Sequence, residues 1–258
     1  MTTSTLEPPR TVVGCRRGLR WWEMIYIAVF YAAYTLVRDL RGTTPVGRVH
    51  AYNNAERIID VERFFGLFQE RRIQAWFLPS HVIVHTLDDF YGTAHFVITL
   101  AALIFLFRWQ PWRYPLWRNT LAITTALALI GFAFFPLMPP RLLPESYHIV
   151  DTLRSVGGFW SFDSGPMSAV SNQYAAMPSL HFAWALWCAL ALAPATGRRW
   201  LKVVVWCYPA VTLLCIVVTG NHYLLDAVGG AVTLAAGYAG ARLLASLSAR
   251  RKAAVPAG

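Results

Sequence analysis

Charge is scarce in this sequence, and acid scarcer still. Of 258 residues only 14% are charged, against roughly 25% in a soluble domain, and 13 acids face 23 Lys and Arg for a net charge of +10. Cysteine is sparse as well. Cys15 lies in a basic leader, and Cys188, Cys207 and Cys215 lie inside apolar runs, where the thiol acts as a small hydrophobe. A disulfide framework is therefore not expected. No Pro/Gly/Ser linker, low-complexity tract or internal repeat divides the middle of the chain, which excludes an obvious multidomain or repeat architecture.

What is abundant is apolar: 56% of residues, including 11 Trp, 11 Tyr and 15 Phe, with a mean hydropathy of +0.42. Disordered and nucleic-acid-binding chains rarely combine such aromatic content with positive charge, so a nucleic-acid partner is not expected and the basic excess reads as membrane topology. A bilayer core of ~30 Å takes about 20 helical residues. Six segments qualify: 21–37, 90–107, 116–136, 179–194, 200–219 and 222–244. The first follows a basic leader, as in a signal peptide, but it is too long and too aromatic and lacks a small-residue cleavage site, so a retained helix is expected.

Lys and Arg collect in short cytoplasmic loops. They occur in the leader (Arg10, Arg16, Arg17, Arg20), after the second span (Arg108, Arg113), after the fourth (Arg198, Arg199) and in the tail (Arg250, Arg251, Lys252). The segment between spans three and four carries only Arg141 and Arg154, and the turn between five and six carries none. The expected organisation is a cytoplasmic leader at 1–20, a single all-α membrane domain at 21–247 and a cytoplasmic tail at 248–258 in the cell membrane. Segment 38–79 departs from the rule, with seven arginines offset by five acids. Within it Ile58, Ile59, Val61, Phe64, Phe65, Leu67 and Phe68 recur near helical period beside charged residues. The pattern at about 55–79 predicts an amphipathic interfacial helix, packed over the bundle's outer end or bound to headgroups.

Three short motifs carry chemistry. Ala176-Met-Pro-Ser-Leu-His181 opens span four, with Pro178 and Ser179 suited to a helix start and His181 in the first turn. Such a start holds anions, because free N–H groups and the macrodipole both favour negative charge. Gly220-Asn-His-Tyr-Leu-Leu-Asp226 opens span six; spacing i, i+4 puts His222 and Asp226 on one face, where the carboxylate can hold one imidazole nitrogen and leave the other free. Phe134-Phe-Pro-Leu-Met-Pro-Pro-Arg141 ends span three and presents a guanidinium suited to phosphate oxygens. Read singly, the first is an ordinary helix start and the third a snorkelling arginine, whereas an aspartate buried in a membrane helix already points to a functional partner, with a structural His–Asp pair as the alternative. The topology places all of them at the outer membrane face, which unrelated structural roles would not require, and so points to one phosphate-handling site.

Pro-Ser-Leu-His followed some forty residues later by His-x-x-x-Asp resembles the type 2 phosphatidic acid phosphatase (PAP2) superfamily. Met-Pro-Ser-Leu-His, Pro-Pro-Arg, Asn-His-Tyr-x-x-Asp and Tyr91-Gly-Thr-Ala-His95-Phe look most like its Aur1/Ipt1-like inositolphosphotransferase branch. The resemblance, over about 90–245, implies a six-helix membrane bundle without metal or cofactor. In it His222 would form a phosphohistidine, Asp226 would orient it, and His181 would protonate the leaving oxygen. Arg141, Ser179, His95, Tyr91 and Asn221 would contact substrate. The chain departs from the superfamily in lacking its Lys-x6-Arg-Pro motif and in having Cys215-Ile216 where a Ser-Arg pair precedes the nucleophile.

Outside the motifs, His81, His85, Asp88 and Asp89 show a spacing that could ligate zinc, though the implied chemistry needs no metal. His148, Asp151, Asp163 and Asn172 could meet an acceptor's hydroxyls or be ordinary loop polarity. The expected activity is transfer of a phospho-headgroup from a phospholipid or prenyl phosphate to a polyol such as inositol. The alternatives are a lipid phosphate phosphatase using water and, outside enzymes, a small lipid transporter or idle lipid-binding protein. The topology is tested on intact cells: a cysteine placed in loop 142–176 should react with a membrane-impermeant thiol reagent while a C-terminal tag stays protected, and the reverse pattern overturns the orientation.

Overall fold

The computed structural model describes Ala32 and residues 45–155 and 173–253. Two compact units are present, Met1–Leu36 and Val37–Gly258; the description below concerns the second. The leader, the expected span at 21–37, Asp163, Asn172 and the last residues of the tail lie outside the described residues.

Among the described residues the chain is helical, with one isolated bridge between Leu137 and Ala175. Helix α1 is Pro45–Phe64, α2 Glu70–Phe77, α3 His81–Trp109 and α4 Tyr114–Phe134. After short 3₁₀ turns come α5 (Thr152–Ser155), α6 (Leu180–Leu192), α7 (Arg199–Val218) and α8 (Leu224–Ala253). Four helices, α3, α4, α7 and α8, are long and apolar enough to cross a membrane. Their outward faces carry exposed Phe96, Leu100, Ile130, Val203, Trp206 and Val232, an arrangement that water penalises and lipid accepts. The fourth expected span falls short. The 13 residues of α6 rise only ~20 Å at ~1.5 Å per residue, and the chain then tightens into a 3₁₀ turn, Ala193–Ala195, at Pro194.

Local chemistry sets the helix ends. Pro115 sits in the first turn of α4, where its missing N–H costs nothing, and Phe135 leaves helical geometry one residue before Pro136. Helix α7 closes in a left-handed glycine cap: Gly220 has φ 66°, its N–H reaches the Val217 carbonyl, and the Asn221 N–H reaches that of Ile216. Beside this turn a Cβ on Gly220 would lie 3.1 Å from the Arg141 Cβ. Two indole groups inside the bundle find partners on a neighbouring helix. The Trp187 indole donates to the Trp117 carbonyl at 2.9 Å and the Trp184 indole to the Thr125 hydroxyl at 3.0 Å, joining α6 to α4.

Segment 55–79 differs from the amphipathic helix expected there. It is two helices separated by a turn at Gly66, whose φ of 68° suits glycine. Three polar residues turn inward and three aromatics outward: Glu62, Glu70 and Gln74 are fully buried, whereas Phe64, Phe65 and Trp76 are exposed by 83%, 65% and 69%. Ile58 and Ile59 alone among its leading apolar residues are deeply buried, joining a core with Leu137, Met138 and Tyr223. The inner carboxyls and amide reach free main-chain groups of other segments, a stronger demand than burial of one more aromatic ring.

Helices α4 and α8 pack through glycine. A Cβ on Gly237 would run into the Thr124 hydroxyl and lie 2.9 Å from the Thr124 main-chain nitrogen, whereas one on Gly197 would meet nothing. Gly237→Ala should therefore destabilise the protein by about 1–3 kcal/mol through overpacking, and Gly197→Ala should stay within about 0.5 kcal/mol. Thermal unfolding in detergent checks the pair; equal midpoints would refute the close α4–α8 contact.

Candidate active site

The site is assembled from four stretches of backbone. Ser179 is the N-cap of α6 and accepts from the Phe182 N–H at 3.4 Å, which places His181 in the first turn. Ser179 also donates its own N–H to the Asp226 carbonyl at 2.9 Å, tying the start of α6 to the start of α8. Gly230 makes this approach possible, because a Cβ there would collide with the Ser179 carbonyl.

His222 stands two residues ahead of the first helical residue of α8. The expected placement of His222 and Asp226 on one helical face is corrected accordingly: the glycine turn, not helical spacing, sets the imidazole. Its Nδ1 lies 3.2 Å from Asp226 Oδ2, which also accepts from the Tyr223 N–H at 3.0 Å. Histidine and aspartate are exposed by only 2% and 0%. With Nδ1–H donating to the carboxylate, Nε2 keeps its lone pair.

The ring of His181 lies across from that of His222, 5.6 Å between centroids. Tyr91 stacks on His181 at 4.2 Å, and His95 meets His181 edge-on at 4.2 Å while its Nδ1 lies 3.0 Å from the Tyr91 carbonyl. Tyr91 and His95 are thus neighbours of the two histidines, brought in by the third and fourth turns of α3. A narrow cavity beside them is lined by Phe90, Tyr91, His95, His181, Tyr208 and Thr212.

Arg141 is buried at 8% exposure, and its main-chain N–H donates to the Gly220 carbonyl at 2.8 Å. Its guanidinium is engaged by neighbours: Nε donates to Asn221 Oδ1 and Nη1 to Asp151 Oδ2, both at 2.9 Å. Asn221 in turn donates to the Thr219 hydroxyl at 2.8 Å. Arg141, Asn221 and His222 therefore meet in one turn, as their motifs require, with Asp151 as a partner that the sequence left among loop polar groups. Where the superfamily's Ser-Arg pair is lacking, Cys215 turns its thiol to the Leu87 carbonyl at 3.0 Å and Ile216 is fully buried.

The remaining polar candidates are placed elsewhere. His85 pairs with Asp89 at 3.2 Å on a half-exposed face, while Asp88 turns inward and accepts from the Thr152 hydroxyl at 2.8 Å. Among the described residues no group of three or more His, Cys, Asp or Glu is arranged to hold a metal ion. His148 is exposed, in a left-handed turn with φ 53°. Sequence reasoning missed Glu62, Glu70 and Gln74. Glu62 Oε1 accepts from the Leu225 N–H at 2.7 Å and Glu70 Oε1 from the Leu224 N–H at 3.1 Å, both within the stretch linking His222 to Asp226. Gln74 donates to the Val218 and Val150 carbonyls, each at 2.9 Å. The available signal was the presence of acids at all in so acid-poor a chain.

No curated protein and no solved structure matches the chain. A family model described as the PAP2 superfamily matches residues 56–240, more than two thirds of the sequence and every residue of the site. The chain belongs to the PAP2 superfamily, whose members are phosphatases and phosphotransferases acting on lipid phosphates.

Proposed function

We propose that this protein is an integral-membrane phosphotransferase that moves a phospho-headgroup from a lipid-linked phosphate to an alcohol through a phosphohistidine on His222. The observation that carries this reading is the pair of imidazoles 5.6 Å apart, one held through Nδ1 by a buried aspartate. His222 Nε2 attacks phosphorus, the bond to the leaving oxygen breaks, and His181 gives that oxygen its proton. In the second half an acceptor hydroxyl attacks phosphorus, passes its proton back to His181, and the N–P bond breaks. Asp226 keeps the imidazole in one tautomer and stabilises its developing charge.

Arg141 stabilises the equatorial oxygens, where a phosphoryl transition state gathers charge. The Asp151 carboxylate on Nη1 occupies the place that a phosphate oxygen takes when substrate arrives. Ser179 and Asn221 hold the helix start and the guanidinium, and Tyr91 and His95 fix the plane of His181. Substrate chains are accommodated beside α3 and α7, where the cavity walls are Phe90, Tyr208 and Ile216. The exposed Phe64, Phe65 and Trp76, with Arg72 5.6 Å over the Trp76 ring, suit α1 and α2 to the headgroup layer. Transfer to an alcohol follows the likeness of Met177-Pro-Ser-Leu-His181, Pro139-Pro-Arg141 and Asn221-His-Tyr-x-x-Asp226 to the Aur1/Ipt1-like branch. The polyol acceptor, the outer-face orientation and the cytoplasmic termini belong to the same proposal.

Purified protein incubated with phospholipids and prenyl phosphates, with and without inositol, should yield the free lipid alcohol together with an inositol phosphate ester only when the polyol is present. Release of free phosphate alone would assign the protein to the lipid phosphatases. Roles within the site separate by substitution. His222→Ala should abolish both turnover and trapped phosphohistidine. His181→Ala should cost ~10²- to 10⁴-fold on an ordinary lipid phosphate and much less on a substrate whose leaving group needs no proton. Equal losses on both substrates would remove His181 as the acid, and turnover by His222→Ala would sink the covalent mechanism.

A further inference from the structure

A helix that begins inside a protein has N–H groups without intrahelical acceptors. At the start of α8 the Tyr223 N–H goes to Asp226, but the Leu224 and Leu225 N–H groups are taken by side chains from far along the chain, Glu70 and Glu62. The two glutamates come from opposite sides of the Gly66 turn, one in the last turn of α1 and the other the first residue of α2. They are exposed by 0% and 1%, and their carboxyl groups lie within hydrogen-bond reach of each other. Neither Glu62 Oε2 nor Glu70 Oε2 has an N–H or O–H donor among the described residues. No Lys or Arg forms an ion pair with either carboxyl among the described salt bridges. Two carboxylates so placed would repel each other in a poorly solvated position, and a single proton between them removes the conflict.

We infer that Glu62 and Glu70 share one proton and act as positioning residues, holding the Leu224 and Leu225 N–H groups so that His222 and Asp226 keep their geometry. The inference rests on the proposed function for its catalytic half, but the shared proton stands on the packing alone. The titratable groups facing the pair are Asp226 and Tyr223 at the start of α8. Neither supplies positive charge. Burial first, and then the charge of Glu70, push the Glu62 carboxyl up to about 9, and burial also raises Glu70. The folded pair therefore keeps a proton that the unfolded chain releases near 4.5. The sign follows: the stability it confers is complete below that value, declines as pH rises, and is gone once pH passes about 9.

Glutamine is the discriminating substitution, since its carbonyl can accept the Leu225 N–H and its amide can donate to Glu70 without any shared proton. The full-length protein in detergent, with Glu62→Gln and Glu62→Ala, is to be followed by thermal midpoint between pH 5 and 9 and by turnover of phosphatidate in mixed micelles. The midpoint of the parent should fall with rising pH, and Glu62→Gln should flatten that slope. At pH 7 Glu62→Ala should lose on the order of 10²-fold in kcat, the scale of a misplaced reacting group, with KM within about threefold; Glu62→Gln should recover kcat to within about threefold of the parent. An unchanged slope in Glu62→Gln overturns the shared proton, even in a protein that turns over no phosphatidate. Normal kcat in Glu62→Ala, or a loss in Glu62→Gln as large as in Glu62→Ala, overturns the positioning role. Should the alanine variant not fold, the glutamine variant's slope and kcat decide alone. A parent protein with no turnover on any lipid phosphate would instead refute the phosphotransfer reading.

Discussion

The first turn of α8 begins where water cannot serve it, and its N–H groups need acceptors from the protein itself. Asp226 takes that of Tyr223, Glu70 that of Leu224 and Glu62 that of Leu225, while the Asp226 N–H returns to the Tyr223 carbonyl. The cost of leaving any one buried and unpaired is of order 1–3 kcal/mol. Meeting that need fixes several other features. Helices α1 and α2 must turn back at Gly66 so that both glutamates arrive together, and the α7–α8 turn must be tight enough for Gly220 to pass beside Arg141. The imidazole of His222 then lies against the same carboxylate that caps the helix.

The charge balance around Arg141 follows a similar logic. A buried guanidinium requires several acceptors, and Asn221 and Asp151 supply two of them from separate segments. Where other superfamily members carry a second cation before the nucleophile, this chain has a thiol bonded to the Leu87 carbonyl and a buried isoleucine. The positive charge of the site is therefore concentrated at Arg141, and the carboxylate of Asp151 balances it.

Much of this was legible in the sequence, for reasons that can be named. Ser179, His181, His222 and Asp226 announce themselves because polar residues at helix starts are rare in an apolar chain, and topology alone sends those starts to one end of the bundle. The helices α3, α4 and α7 were legible from length and hydropathy, α6 less so, since Pro194 shortens it. Segment 55–79 misled because helical periodicity separates apolar from polar faces without saying which faces inward. That inference assumes water outside. Where Phe64 and Phe65 have an apolar exterior available, the scarce interior acceptors Glu62, Glu70 and Gln74 are the residues that turn in. The pairing of Asp151 with Arg141 was not foreseen because the two lie ten residues apart across irregular backbone, beyond any periodic signal.

The hydrogen bond from Ser179 to the Asp226 carbonyl, with Gly230 pressed against it, locks the two histidine-bearing helix starts into one block. A bulky two-chain substrate cannot separate that block without breaking main-chain pairing. The opposite wall is different: Tyr91 and His95 reach the histidines by ring contacts, from a helix whose outer side is Phe96, Val97 and Leu100. On the phosphotransfer reading proposed above, lateral admission from the bilayer would fall to α3, which meets the two histidines through aromatic stacking, and the Tyr91 ring that covers His181 would have to yield when a substrate enters.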